Sequence, residues 1–318
     1  MTEPVPDRRG LWRWLAAAVS VALLVAALVA ISRSGVSLST TRRLVASAST
    51  GLVIAGVALP LLNLTISAGV FWVLTRRFGR VGFGEMWALI GAAWLLNYLP
   101  MRPGLVGRVA YHRAVNGISV AHGSRVVAES VACSAAASLG AVGWSVLGAR
   151  WPQMGAWIDA VPFALLAAGA AVAFGVGRKS PTVAALAAAM SLRIADLIVW
   201  TFRYVVVFAI AGEPISTPQA AAIAAVSQVA MSVPLVGNGL GLREWAVGLM
   251  RSSLPAWYGV GAASAAGLTA DLLNRSAELC VAVPVGLACA AFVTRKIRAA
   301  GGGGRLLPVP PDRSPTPN

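Results

Sequence analysis

Residues 95–113 read LLNYLPMRPGLVGRVAYHR, and this stretch interrupts an apolar run with two prolines, two glycines and three arginines. Pro100 and Pro103 cannot donate a backbone hydrogen bond, so they end the helix that the preceding apolar residues favour. Broken backbone at membrane depth leaves amide groups unpaired, so it is tolerated only inside protein or beside a water-filled cavity. The stretch therefore predicts either an ordinary loop between two membrane spans or a helical hairpin that turns back inside the bilayer.

The rest of the chain has the composition of a polytopic α-helical membrane protein. Of its 318 residues, 58% are hydrophobic and 12% are charged, which is about half the charged share of a soluble domain. Uncharged windows such as Leu44–Thr75 are longer than the roughly 20 apolar residues that a helix needs to cross the hydrocarbon core. We therefore expect an all-α integral membrane domain over 1–298 and a disordered Gly/Pro-rich tail over 299–318.

Eight hydrophobic segments follow one another along the chain. The six that are long enough to span the bilayer are predicted at about 12–31, within 45–74, and at about 125–149, 160–177, 183–211 and 260–294. Two shorter segments lie at 85–99 and 219–236, and each runs into a break rich in Gly and Pro. The sequence thus predicts about six full spans plus two re-entrant helical hairpins.

The second break, SVPLVGNGLGLREW at 232–245, repeats the spacing of the first break. Pro234 corresponds to Pro100, and Gly241, seven residues later, corresponds to Gly107. Short hydrophobic segments that Gly and Pro interrupt at corresponding positions point to a repeat-built transporter site near the bilayer midplane. We therefore predict an inverted repeat in which the two hairpins enter the membrane from opposite faces.

The net charge of +15 comes from basic residues that lie mostly between the apolar runs. Loop cations of this kind are typical of the cytoplasmic side of a membrane protein. We therefore predict a multi-pass protein of the cell membrane with both termini in the cytoplasm and with no nucleic-acid partner.

Three sets of polar residues stand at helical spacing, inside apolar runs or at the start of one. They are Arg193, Asp196 and Arg203; Asp271, Asn274, Arg275 and Glu278; and His122, Arg125 and Glu129. Each set places an acid within one helical turn of a base. Such sets are either self-neutralising pairs that hold helices in register or the lining of a polar site. The cationic excess of the first set favours a site for an anionic head group, because the planar fork of arginine suits phosphate.

The sequence shows no motif that predicts an enzyme, a metal site or a cofactor. Its two histidines, His112 and His122, do not form an HExxH pattern. GNGLGLRE at 237–244 has the spacing GxGxG and no βαβ context, so it does not predict a dinucleotide site. A membrane transferase that acts on a lipid head group is disfavoured for the same lack of metal-binding and base motifs.

Three segments carry a resemblance to a known family. NYLPMRPGLVGRVAYHRAVNGIS (97–119), SRVVAES (124–130) and SVPLVGNGLGLREWAVGLM (232–250) resemble the lysylphosphatidylglycerol-synthase transmembrane family. This flippase-like domain also forms the front of the bacterial multiple peptide resistance factor. The positions that match the family pattern are Asn97, Pro100, Arg102, Gly104, Arg108, Pro234, Gly239, Gly241 and Glu244. Leu105 departs from it, because the family often has an acidic residue there.

The resemblance implies a membrane domain that moves a lipid between leaflets, either an anionic phospholipid or a polyprenyl-linked lipid. Since the soluble synthase domain of the family has no counterpart here, transfer of lysine to lipid is not implied. The predicted substrate-binding residues are Asn97, Pro100, Arg102, Gly104, Arg108, Arg125, Arg193, Asp196, Arg203, Gly239, Gly241, Glu244, Asp271 and Arg275. Asp196, Asp271 and Glu278 are the candidate proton sites. The alternative is a non-transporting scaffold for an envelope-lipid or glycolipid enzyme, and a homodimer is left open.

Overall fold

The computed structural model describes residues 38–99, 103–177, 179–232, 242–243, 245–247, 249–250 and 264–301. Regular structure in these ranges is helical, and no strand occurs among them. The helices are α1 (Leu38–Ser47), α2 (Thr50–Thr75), α3 (Phe83–Leu96), α4 (Pro103–Val115), α5 (Val120–Arg150), α6 (Gly155–Val176), α7 (Pro181–Ile210), α8 (Thr217–Ser232) and α9 (Ser264–Gly301), with a short 3-10 turn at Pro152–Met154. The prediction of an all-α chain is confirmed for this part of the protein.

Five of the described helices are long and apolar enough to cross a membrane. These segments are Thr50–Thr75, Val120–Arg150, Asp159–Val176, Pro181–Ile210 and Gly267–Ala300. They coincide with five of the six predicted spans and agree with a polytopic membrane protein. The first predicted span, at about 12–31, lies outside the described residues. At the other end, α9 continues to Gly301, three residues into the segment predicted as tail, and 302–318 again lie outside the described residues.

The long helices begin and end where the sequence supplies caps. Ser49, Ser119 and Ser180 precede α2, α5 and α7, and each side-chain oxygen accepts a hydrogen bond from a first-turn amide. Such serine caps satisfy amides that have no partner inside the helix. After α7, Gly212 adopts φ 79° and the Glu213 amide donates to the Phe208 carbonyl at 2.9 Å. This is a Schellman motif, and its left-handed position favours glycine.

The short helices α3 and α4 form an antiparallel hairpin. With 14 and 13 residues, they are about 20 Å long at 1.5 Å per residue, against roughly 30 Å of hydrocarbon. Near the tip, a Cβ built on Gly104 would lie 2.4 Å from the Ala93 carbonyl oxygen, so α4 packs there directly on the backbone of α3. At the open end, Tyr111 Oη and Asn116 Nδ2 donate to Glu85 Oε1 at 3.0 and 2.9 Å. The hairpin therefore returns to the end of the bundle at which it started.

Helix α9 packs closely along α3 because glycines face each other across the contact. A Cβ on Gly91 would lie 2.7 Å from Cys289 Sγ, and a Cβ on Gly286 would lie 2.6 Å from Leu95 Cβ. Small residues of this kind let membrane helices approach each other. Helix α7 lies at the centre of the bundle, where it packs against α2, α5, α6, α8 and α9.

We expect Gly286→Ala to destabilise the protein, because Leu95 Cβ and the α3 backbone cannot move aside without shifting the helix. Overpacking of this kind costs about 1–3 kcal/mol. The matched control is Gly143→Ala, whose added Cβ meets nothing within 4 Å. Thermal unfolding of the detergent-solubilised protein should show a lower midpoint for Gly286→Ala alone, and equal midpoints for the two variants would contradict the packing described.

Glu85, at the open end of the hairpin, predicts that the stability of the protein depends on pH. Burial raises the pKa of Glu85, but the hydrogen bonds from Asn116 and Tyr111 and the charge of Lys296 outweigh it, so the pKa lies below its ordinary value of 4.5. Because the folded-state pKa is lowered, this carboxylate stabilises the fold above pH 4.5, and that contribution is lost as pH falls through the folded-state value.

Glu85→Gln should therefore lower the unfolding midpoint at pH 6–7, and the difference from the wild type should shrink as pH falls below 4.5. Asp159→Asn, which removes an exposed carboxyl near the start of α6, controls for a general effect of acid. A difference that grows toward low pH would show that Glu85 is not held by these donors.

Candidate functional site

A polar cavity of about 290 Å³ lies at the centre of the described bundle. Residues of α2, α3, α4, α5, α7, α8 and α9 line it, and the tip of the α3–α4 hairpin closes one side. Its charged and amide lining consists of Asn63, Asn97, Arg108, Arg193, Asp196, Arg203, Gln228 and Glu278. A cavity of this polarity inside a membrane domain is where function is expected, because ionised groups at membrane depth are costly.

The polar stripe predicted on α7 faces this cavity. Arg193, Asp196 and Arg203 all line it, together with Trp200 between them. The guanidinium of Arg203 stacks over the Trp200 ring at 3.9 Å from the centroid. The spacings of three and seven residues thus place the three charges on one helical face, as the sequence predicted.

Arg203 ties three helices together and is almost fully buried. Its Nη2 donates to Glu278 Oε2 at 3.0 Å, its Nε to Asn274 Oδ1 at 3.0 Å, and its Nη1 to Asn63 Oδ1 at 3.2 Å. Burial of a guanidinium is tolerated where its donors are used in this way.

Glu278 joins the two breaks that the sequence singled out. Trp94 Nε1, near the end of α3, donates to its Oε1 at 3.1 Å, and Arg243, from the second break, donates to its Oε2 at 3.2 Å. Arg243 also donates from Nε to Asp271 Oδ2 at 2.9 Å. Residues from both interrupted segments therefore meet around one carboxylate.

Asp271 and Arg275 do not line the cavity, although the sequence analysis predicted both as substrate-binding residues. Asp271 is fully buried between Arg243 and Tyr204, whose hydroxyl donates to it at 2.7 Å. Arg275 is buried with its guanidinium 6.0 Å from the Tyr98 ring centroid. Asp271 lies about two turns of α9 before Glu278, on the same side of the helix but beyond the cavity.

Asp196 is bound by one cation and one amide. Arg193 Nη1 lies 3.2 Å from its Oδ2, and Asn63 Nδ2 donates to its Oδ1 at 2.7 Å. Arg193 is anchored independently, because Nη1 donates to Ser67 Oγ at 3.3 Å and Nη2 to Ser130 Oγ at 2.7 Å. The Nε of Arg193 is buried, and no described residue accepts a hydrogen bond from it.

The hairpin tip supplies Asn97 and Arg108. The guanidinium of Arg108 stacks on the Phe71 ring at 4.1 Å from the centroid, and its Nε donates to the Gly104 carbonyl at 3.3 Å. Asn97 Oδ1 is buried and receives no hydrogen bond from a described residue. Gly104 lies behind them in the α3–α4 contact, so its predicted role is one of packing rather than of lining.

Arg125 lies away from the cavity, against expectation. Its side chain is 56% exposed, and it forms an ion pair with Glu129, which also pairs with Arg77. Arg125 lies in the second turn of α5. The acid and the base that stand one turn apart in this set are therefore at the end of the bundle, whereas those of the other two sets are buried.

Five of the predicted site residues lie outside the described residues. They are Pro100 and Arg102 in the first break and Gly239, Gly241 and Glu244 in the second.

The sequence did not single out several neutral polar residues that the cavity uses. Asn63 and Ser67 lie one turn apart in the long uncharged span of α2, Ser130 and Ser134 lie one turn apart in α5, and Gln228 stands in the apolar run of α8. The i,i+4 spacing of these two pairs is a signal that could have indicated polar faces.

The charged groups around the cavity carry an excess of positive charge. Those that are buried or nearly buried there are the arginines Arg108, Arg193, Arg203, Arg243 and Arg275 and the carboxylates of Asp196, Asp271 and Glu278. Five cations thus face three anions, and three of those cations line the cavity. The part of the chain that the structure describes contains no group of three or more His, Cys, Asp or Glu residues that could hold a metal ion. Guanidinium groups in a cavity wall can donate paired hydrogen bonds to an anion.

Comparisons of the chain with models of known protein families, with curated proteins and with solved structures find no match. The resemblance to the lysylphosphatidylglycerol-synthase transmembrane family therefore stays a prediction.

Removing one partner of the buried Arg203–Glu278 pair leaves an uncompensated charge, which costs about 3–5 kcal/mol. Arg203→Ala and Glu278→Ala should each lower stability by an amount of this order. The double variant should be less destabilised than the sum of the two by about 1 kcal/mol or more, because the two groups are in contact. Chemical unfolding of the four proteins measures this coupling. Arg125→Ala, at the exposed pair, should change stability by only about 0.5 kcal/mol, and additivity of the buried pair would contradict the contact.

Proposed function

We propose that this protein moves a lipid with an anionic head group between the two leaflets of the cell membrane. The observation that carries the proposal is the arginine-lined cavity inside the helical bundle, at the tip of a hairpin too short to span the bilayer. Two lipid classes share the required chemistry, anionic phospholipids and polyprenyl-linked phosphates. The resemblance stated from the sequence agrees with this class of function.

The cavity has the donors that a phosphate group needs. Arg108 of α4 and Arg193 and Arg203 of α7 line it, and arginine binds phosphate oxygens in pairs through its planar fork. The buried Nε of Arg193 has no acceptor among the described residues, so it is a donor available to a ligand. A volume of about 290 Å³ is near the lower end of ligand pockets, which hold about 300–1,000 Å³. This volume suits a lipid head group.

The tails have a route along the side of the bundle. Leu105 of α4 and Val131 of α5 line the cavity, and Val131 is 56% exposed on the outer surface. An apolar rim of this kind supports a path in which the charged head group enters the protein while the tails stay in the lipid.

The topology proposed for this activity has six full spans and two re-entrant hairpins related as an inverted repeat. The α3–α4 hairpin is one of them. The second comprises α8, whose 16 residues are also too few to span, and the segment that carries Arg243, whose Nη1 lies 3.8 Å from Met231 Sδ. Both meet at Glu278, which supports a single site between two repeats.

The distribution of surface charge supports a cytoplasmic location for one end of the bundle. The end of α2, the start of α3, the end of α4, the start of α5 and the end of α9 lie together, joined by the Glu85–Lys296 and Arg77–Glu129 ion pairs. The exposed cations there are Arg76, Arg80, Arg113, Arg125, Arg295, Lys296 and Arg298. By the positive-inside rule, we place this end, and with it the C-terminus, in the cytoplasm.

The test is leaflet exchange in liposomes that contain the purified protein and a fluorescent phosphatidylglycerol or a fluorescent short-chain polyprenyl phosphate. We expect the wild type to accelerate the exchange of at least one probe. The double variant Arg108→Gln/Arg193→Gln should reduce this rate at least about tenfold, since a lost charge-assisted hydrogen bond costs roughly 1.5–3 kcal/mol.

Arg125→Gln is the matched control, because it removes the same charge outside the cavity and should exchange lipid at the wild-type rate. Size-exclusion chromatography shows whether each variant is folded. Wild-type exchange by the folded double variant would eliminate the proposal, and no exchange by the wild type with either probe would favour the non-transporting scaffold.

A further inference from the structure

The three buried carboxylates of the described interior are held very differently. Glu278 accepts hydrogen bonds from two guanidinium groups and an indole, and Asp271 accepts from Arg243 and Tyr204. Asp196 has a single cation partner, Arg193 at 3.2 Å, and a neutral amide, Asn63 Nδ2 at 2.7 Å. Of the three, Asp196 therefore depends most on one counter-charge for its ionised form.

Arg193, which supplies that counter-charge, is also part of the lining of the cavity. Arg193 and Asp196 both line it, and Arg193 is held in place by the hydroxyls of Ser67 and Ser130 as well as by Asp196. It can therefore stay at the wall when an anion in the cavity becomes its electrostatic partner. The phosphate of a head group and the carboxylate of Asp196 then compete for the same guanidinium.

The other charged groups around Asp196 do not replace Arg193. Arg203, on the same helix, is bound to Glu278 of α9, and Arg108 of α4 stacks on the Phe71 ring that Arg193 also approaches and would itself face the anion. The neighbours from α2 and α5 are the neutral Asn63, Ser67 and Ser130. A phosphate placed among these cations brings a second negative charge beside Asp196, and one bound proton removes that repulsion.

Resting on the proposed function, we propose that Asp196 takes up one proton when an anionic head group binds Arg193, so that the head group and the proton enter the site together. The empty site holds the Arg193–Asp196 ion pair. The loaded site holds an Arg193–phosphate pair and a neutral Asp196, whose proton comes from water. The added negative charge and the added proton cancel, so the loading step is electroneutral.

The experiment measures proton uptake during binding by the intact protein in nanodiscs of neutral phosphatidylcholine. The probe is dihexanoyl phosphatidylglycerol, a phosphodiester without a second ionisable proton. Titration calorimetry in two buffers with different enthalpies of ionisation gives the number of protons taken up. For the wild type we expect close to one proton at pH 7, and an affinity that rises by up to about tenfold per pH unit between pH 8 and pH 6.

Two variants test whether Asp196 is the residue that takes up the proton. Asp196→Asn should bind the probe without proton uptake and with an affinity that does not change with pH, whereas Arg125→Gln should keep the wild-type uptake. Infrared difference spectra of the wild type supply a readout that needs no substitution, because binding should create the carbonyl band of a protonated carboxyl. That band should be missing from Asp196→Asn.

The outcomes separate this inference from the proposed function. If the wild type binds the probe and exchanges lipid but takes up no proton, the inference is overturned and the transport proposal stands. If proton uptake persists in folded Asp196→Asn, the assignment to Asp196 is overturned. If the wild type neither binds the probe nor exchanges lipid in the liposome assay, both proposals are overturned.

Discussion

The interior of this protein depends on a single carboxylate, that of Glu278. It lies between the guanidinium groups of Arg203 and Arg243, which would otherwise repel each other in a medium of low dielectric constant. Through Arg203 it also connects α9 to α7 and, by way of Asn63, to α2. Together with Asp196 and Asp271, it balances three of the five arginine charges around the cavity, so the bundle can hold a cationic excess.

The hairpin owes its shape to packing at both of its ends. At the tip, Gly104 allows α4 to rest on the backbone of α3. At the base, Glu85 accepts hydrogen bonds from Tyr111 and Asn116 and pairs with Lys296 of α9. These contacts hold the two arms as one unit against α9. The tip residues Asn97 and Arg108 are thereby presented to the cavity by a rigid element rather than by a loop.

The sequence predicted the five long apolar helices, because long apolar runs are a local signal. It also predicted the charged face of α7, because residues three and seven apart share a face of any helix. The spacing could not predict how deep a charged residue lies in the bundle or whether its side chain faces the cavity. Arg125 and Arg193 have nearly the same local pattern, but one lies at a helix end and the other at the centre of the bundle. Asp271 was assigned to the cavity because it shares a stripe with Glu278, whereas Tyr204 and Arg243 bind it elsewhere.

In the proposed topology, a hairpin arm of about 20 Å leaves roughly a third of the hydrocarbon thickness beyond its tip. If water follows the polar lining to that point, the membrane voltage falls mainly across the remaining thin layer. One elementary charge that crosses it alone does electrical work of about 2.3 kcal/mol per 100 mV within one short step. A cargo whose charge is cancelled on entry would cross the same layer without sensing the field. In the transport that we propose, the short hairpin therefore makes the membrane voltage act on the net charge of the cargo within one short step.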